Sequence, residues 1–128
     1  MGIKVSAFTT AVLLTLWSLL ILFLYFLPGE DVPKINWFTR FQGDKLVHAG
    51  LFFIEAHLLL KIVGPDRFRY RLLATVSLAF VSVLLELIQP TIAPGRLAEF
   101  NDACANLCGV VVAVIGSVLF LRLKKLSA

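Results

Sequence analysis

Apolar residues fill four stretches of the chain, residues 5–27, 46–63, 72–89 and 102–121, and polar residues gather between them and at their edges. Each stretch is close to the ~20 residues that an α-helix needs to cross ~30 Å of hydrocarbon at ~1.5 Å per residue. The connections are short, and none is long enough for a separate soluble domain. The pattern predicts an all-α polytopic membrane protein, a four-transmembrane-helix bundle forming one domain over residues 1–128. An even number of crossings puts both termini on one side.

Composition strengthens that reading. Of 128 residues, 59% are hydrophobic and 16% are charged, against about 45–50% and about 25% in a soluble domain. Mean hydropathy is +0.92. A net charge of +4 would suit nucleic acid if it formed a patch, but its distribution argues otherwise. Eight of the 12 basic residues, Lys4, Lys61, Arg67, Arg69, Arg71, Arg122, Lys124 and Lys125, fall on the side that holds the termini. Lys34, Arg40, Lys45 and Arg96 fall on the other. Lys and Arg accumulate on the cytoplasmic face, so both termini are expected there. Nucleic acid is not an expected partner, and no nucleotide, haem or zinc-finger pattern is present, so no cofactor is expected.

The first run is too long for a signal-peptide core and no A-x-A-like site follows it, so it is read as a retained helix. Cys104 and Cys108 lie four apart on one helix, a spacing that suits packing rather than a disulfide or a metal.

Polar residues within the runs change the picture most. A charge near mid-membrane costs about 2.5–3.5 kcal/mol and persists where it has a partner or a task. The second run carries His48, Phe52 and Glu55 on one face, with His57 opposite and read as structural. The third ends in Glu86 and Gln89, and Pro90 is expected to stop the helix. In the fourth, Glu99, Asp102, Asn106 and Gly109 form one stripe that continues through Ala113 and Gly116. Its lower, small-residue part predicts close helix packing. Between these runs Arg96 offers a planar fork suited to carboxylate or phosphate, with an ion pair to Glu86, Glu99 or Asp102 as its simplest use. The turn at 64–71 is loaded with cations that set orientation. The loop at 28–43, with Trp37, Phe38 and Phe41 among polar residues, is expected at headgroup level.

With these residues in place, the chain resembles the VanZ-like family of small bacterial integral membrane proteins. The likeness rests on Asp44-Lys45-x-x-His48, Glu86-x-x-Gln89, and the series Arg96, Glu99, Asp102, Asn106 and Gly109. It spans about residues 44–116. Glu99 departs from the Asp or Ser more usual at that position, keeping the acid on a longer arm. The resemblance implies a multi-pass protein of the bacterial cytoplasmic (inner) membrane. It also implies cell-envelope biology and, through the family's namesake, a link to teicoplanin resistance. It supplies no reaction.

The topology sends Asp44, Lys45, His48, Glu86, Gln89, Arg96, Glu99, Asp102 and Asn106 to the extracytoplasmic rim, where they would line a polar pocket. Three functions fit. The pocket binds a lipid-linked or amphiphilic envelope molecule, with Arg96, Lys45 and His48 on an anionic headgroup. Alternatively the protein is an intramembrane enzyme, with His48, Glu86 and Asp102 as the catalytic candidates for acid–base work, or with a divalent metal among Asp44, His48, Glu86 and Asp102. No nucleophilic Ser, Thr or Cys accompanies the cluster, which disfavours covalent acyl transfer. In the third reading the network is structural and the bundle acts by contacting other membrane proteins.

Overall fold

The apolar runs fold as expected, into four long helices. The computed structural model describes residues 6–28 and 43–127; the aromatic loop expected at headgroup level lies almost wholly outside them. The helices are α1 (Ala7–Phe26), α2 (Gly43–Val63), α3 (Phe68–Ile92) and α4 (Phe100–Leu126). Each is long and apolar enough to cross a membrane, and there is no strand among the described residues.

The helices overrun the apolar windows because backbone hydrogen bonding continues past the hydrophobic stretch. Gly43, Asp44 and Lys45 add a turn to the start of α2, and Phe68 to Arg71 add one to α3. Pro90 does not end α3, which runs on to Ile92. A proline removes one hydrogen bond and crowds the carbonyl four residues back, yet the turn still closes, with the Ala93 N–H donating to the Gln89 carbonyl. Ser6 caps α1 by accepting from the Thr9 N–H at 3.1 Å, which satisfies one of the free donors of a first turn. At the far end of α2, Gly64 takes a positive φ of 84°. Arg71 donates to the Leu60 and Gly64 carbonyls and to Ser117 Oγ, tying α2, α3 and α4 together where a cation also complements the helix dipole.

Side-chain contacts give the topology. Tyr25 meets His48 and Ser18 meets Glu55, so α1 and α2 are antiparallel. Lys45 meets Asp102 and His48 meets Asn106, so α2 and α4 are parallel. Arg71 meets Ser117 while Glu86 meets Glu99, so α3 runs against α4. The bundle is therefore up-down-up-down, with a polar end holding Asp44 and Glu99 and a basic end holding Lys61, Arg71 and Lys124.

Its interior is unlike that of a soluble protein. Ile21, Tyr25, Phe52, Ala56, Val110 and Ala113 form a slim core, and Glu86, Gln89, Ser82 and Asn106 are buried with them. Large apolar side chains such as Phe23, Phe80, Leu87, Val112 and Phe120 point outward. An apolar exterior around a partly polar interior is the arrangement that lipid requires. Cys104 is partly buried but Cys108 is exposed, so only the first fits the expected packing role; Cys108 lies off the buried stripe of α4.

That stripe makes the closest helix contact. A Cβ placed on Gly109 would overlap the Ala49 carbonyl and touch the Phe53 backbone nitrogen, whereas one on Gly116 meets nothing within 4 Å. Gly109→Ala should therefore force α2 and α4 apart at a cost of about 1–3 kcal/mol, as for other overpacked interiors. Gly116→Ala should be neutral or slightly stabilising. Thermal unfolding of the two variants in detergent checks the contrast; equal melting temperatures would refute the close contact.

Candidate functional site

The polar cluster is assembled by the first two turns of α2 and α4, the last two turns of α3 and the last turn of α1. Helical spacing does most of the placing. Residues three and four apart share a face, so Lys45 and His48 of α2 stand opposite Asp102 and Asn106 of α4, just above the Gly109 contact.

Lys45 is the electrostatic centre. Its Nζ lies 2.9 Å from Asp44 Oδ2 and 2.8 Å from Glu99 Oε2, and it also donates to Asp102 Oδ1. Asp44 and Glu99 are half exposed, so the cluster opens to the surroundings on their side. Asp102 is buried in the first turn of α4, where the helix dipole favours a carboxylate. The sequence suggests that Arg96 supplies an ion pair to Glu86, Glu99 or Asp102. Among the described residues Lys45 does so instead, and the buried Nε of Arg96 has no hydrogen-bond partner.

His48 is fixed from behind. Its Nδ1 lies 3.2 Å from Asn106 Oδ1 and 3.2 Å from the Tyr25 hydroxyl, and Asn106 Nδ2 donates to that hydroxyl at 2.7 Å. An amide oxygen facing the ring requires that Nδ1 carry the proton. The other nitrogen, Nε2, faces Asp102 Oδ2 at 3.6 Å, beyond hydrogen-bonding distance.

Glu86 is 2% exposed. Its Oε1 accepts from the Glu99 N–H at 3.2 Å, while Oε2 has no partner. His48, Glu86 and Asp102 each bring one potential ligand atom within 4.8 Å of the others. Gln89, the remaining α3 residue of the expected set, is spent on structure, donating to the Tyr25 carbonyl at 3.2 Å.

The structure thus brings Lys45, His48, Glu86, Glu99, Asp102 and Asn106 together, with Asp44 at the edge. Tyr25, which is not among the residues expected at the site, stands at the middle of the cluster and is 1% exposed. Its signal was available: it is the single ionisable side chain of its apolar run. Deeper in the bundle, Glu55 accepts from Ser18 at 2.6 Å and Trp17 Nε1 donates to the Leu51 carbonyl at 2.9 Å. His57 is exposed and stacks on Phe53.

A cavity of about 530 Å³ lies at the basic end, among Phe53, His57, Lys61, Arg71, Gly116 and Phe120. It shares no residue with the polar cluster. Its walls are mostly apolar and it brings together no cluster of acids and imidazole, so it does not displace the cluster as the candidate site. Comparison with protein families, with curated proteins and with solved structures finds no match for this chain.

Lys45 is the one lysine or arginine among the described residues that pairs with the Asp44, Glu99 and Asp102 carboxylates. Stripping one partner from a buried ion pair costs about 3–5 kcal/mol, and partial exposure places Lys45→Met at or below the low end. Lys45→Met combined with Asp102→Asn should recover part of the loss. Thermal unfolding of both singles and the double variant measures the coupling; strict additivity would show that Lys45 and Asp102 do not act as a pair.

Proposed function

We propose that this is a VanZ-like protein of the bacterial cytoplasmic membrane, with both termini inside, whose outward polar cluster binds a lipid-linked or amphiphilic molecule of the cell envelope. The observation that carries the reading is one-sided convergence. Side chains from all four helices meet at one end, beneath a rim opened by Asp44 and Glu99, while the exterior beside it is apolar. A ligand with a polar head and a hydrocarbon tail matches both surfaces.

The division of labour differs from the simplest expectation. Lys45 is engaged by Asp44, Glu99 and Asp102, and His48 by Tyr25 and Asn106. An anionic phosphate or carboxylate on the ligand therefore falls to Arg96, whose Nε has no partner among the described residues. The acids at the rim suit hydroxyl and amide donors of a sugar or peptide headgroup. The excess of basic residues at the other end is the support for an inward-facing C-terminus.

Native mass spectrometry of the detergent-purified protein tests the reading. The parent should carry a lipid-sized adduct that is lost or sharply reduced in Arg96→Ala and Asp102→Ala, with helicity unchanged. A parent free of adduct, or variants that retain it in full, would leave the structural reading in its place. For orientation, a green fluorescent protein fused at the C-terminus should fluoresce and an alkaline phosphatase fused there should be inactive.

A further inference from the structure

We infer that His48, Glu86 and Asp102 form a binding site for one divalent transition-metal ion. Two features of the cluster point there independently of any amphiphile. The first is charge. Glu86 and Asp102 bring carboxylate oxygens within 4.8 Å of each other in the interior, where like charges repel far more strongly than in water. Lys45 reaches Asp102 but makes no ion pair with Glu86. A positive charge between the two carboxylates is what the arrangement lacks.

The second is the state of the ligand atoms. Glu86 Oε2 is buried without a hydrogen-bond partner, although nearly all buried polar atoms find one. Asp102 gives Oδ1 to Lys45 and keeps Oδ2 free of hydrogen bonds among the described residues. His48 has Nδ1 held by Asn106 and Tyr25, leaving Nε2 as the nitrogen turned toward Asp102. Holding the far nitrogen of a histidine on an acceptor is the usual way a protein aims a metal ligand. The distances fit as well. Tetrahedral ligands at ~2.1 Å from a metal lie about 3.4 Å apart, and His48 Nε2 is 3.6 Å from Asp102 Oδ2. Closing the 4.8 Å bound to that spacing of about 3.4 Å needs a shift of at most about 1.4 Å, within reach of side-chain rotation.

One nitrogen and two carboxylates suit Zn²⁺ or Mn²⁺. Three protein ligands leave a coordination position for water or for a ligand oxygen. Asn106, Tyr25 and Lys45 would be the supporting groups that orient His48 and Asp102.

The full-length protein, stripped with chelator and titrated in detergent with zinc chloride and, separately, manganese chloride, tests this by native mass spectrometry. One ion per chain is expected. Glu86→Gln and Asp102→Asn should bind at least about tenfold more weakly, since even supporting groups of metal sites have effects of that size. Glu55→Gln, a buried glutamate elsewhere, should bind as the parent does. Because variants of buried groups can fail to fold, cobalt chloride on the parent gives a second readout. Tetrahedral nitrogen–oxygen ligation produces strong visible bands that the free ion lacks. A parent that takes up no ion, a cobalt spectrum of the free ion, or full binding by folded Glu86→Gln and Asp102→Asn would each overturn the site. Loss of a lipid adduct with metal binding intact would refute the amphiphile alone.

Discussion

The polar end of this bundle depends on how closely α2 and α4 approach at Gly109. With no side chain there, the backbone of α4 sits against the Ala49 carbonyl and the Phe53 amide. One turn and then two turns away, the same two faces carry His48 opposite Asn106 and Lys45 opposite Asp102. Lipid tails are as apolar as leucine, so burial of apolar surface supplies little attraction between membrane helices, and packing and hydrogen bonds must supply it. A small residue beneath and a polar network above are therefore two parts of one device. The glycine sets the distance at which the network can close.

Charge imposes the next constraint. Asp44, Glu99 and Asp102 would repel one another without a cation among them, and Lys45 is the group that reaches all three. A lysine serves here because its ammonium is compact, with three donors that can point in different directions, whereas an arginine fork favours one planar carboxylate. Tyr25, Asn106 and His48 form a second hydrogen-bonded chain behind this ion cluster. The chain couples α1 to α2 and α4, so the helix that looks most like plain lipid anchor in the sequence contributes a buried hydroxyl to the site. At the basic end one arginine, Arg71, joins three helices through two carbonyls and a serine, and the acids are absent from that contact.

Much of this was legible in the sequence because membrane length and helical spacing are strong signals. Four apolar runs predicted four helices, and the Asp102–Asn106–Gly109–Ala113 stripe is the buried face of α4. What was not legible has physical causes. The overrun of α3 past Pro90 reflects a hydrogen-bonded turn that no hydropathy window can see. Tyr25 is the one ionisable side chain of an otherwise apolar run, and only the crossing of α1 with α2 and α4 sets its hydroxyl between His48 and Asn106. Arg96 appeared the better partner for the acids because it is close in sequence to them. Lys45, more than fifty positions from Asp102, wins because parallel helices bring it there, and sequence proximity says nothing about that.

Glu55 and Glu86 show what turns a buried acid into part of a site. Each has one carboxylate oxygen without a hydrogen-bond partner, and each sits on a helix face turned inward. Around Glu55 the polar neighbour is the Ser18 hydroxyl, a donor that satisfies the other oxygen and completes a local contact between α1 and α2. Around Glu86 the Glu99 N–H satisfies one oxygen, and a histidine and a second carboxylate share the remaining space. A hydroxyl asks nothing further of its acid, but here two acids and an imidazole crowd one small space. Such a space is stable only with something electron-poor inside it. The two buried acids therefore differ less in their own hydrogen bonds than in what else shares their space, which for Glu86 is a second carboxylate and an imidazole.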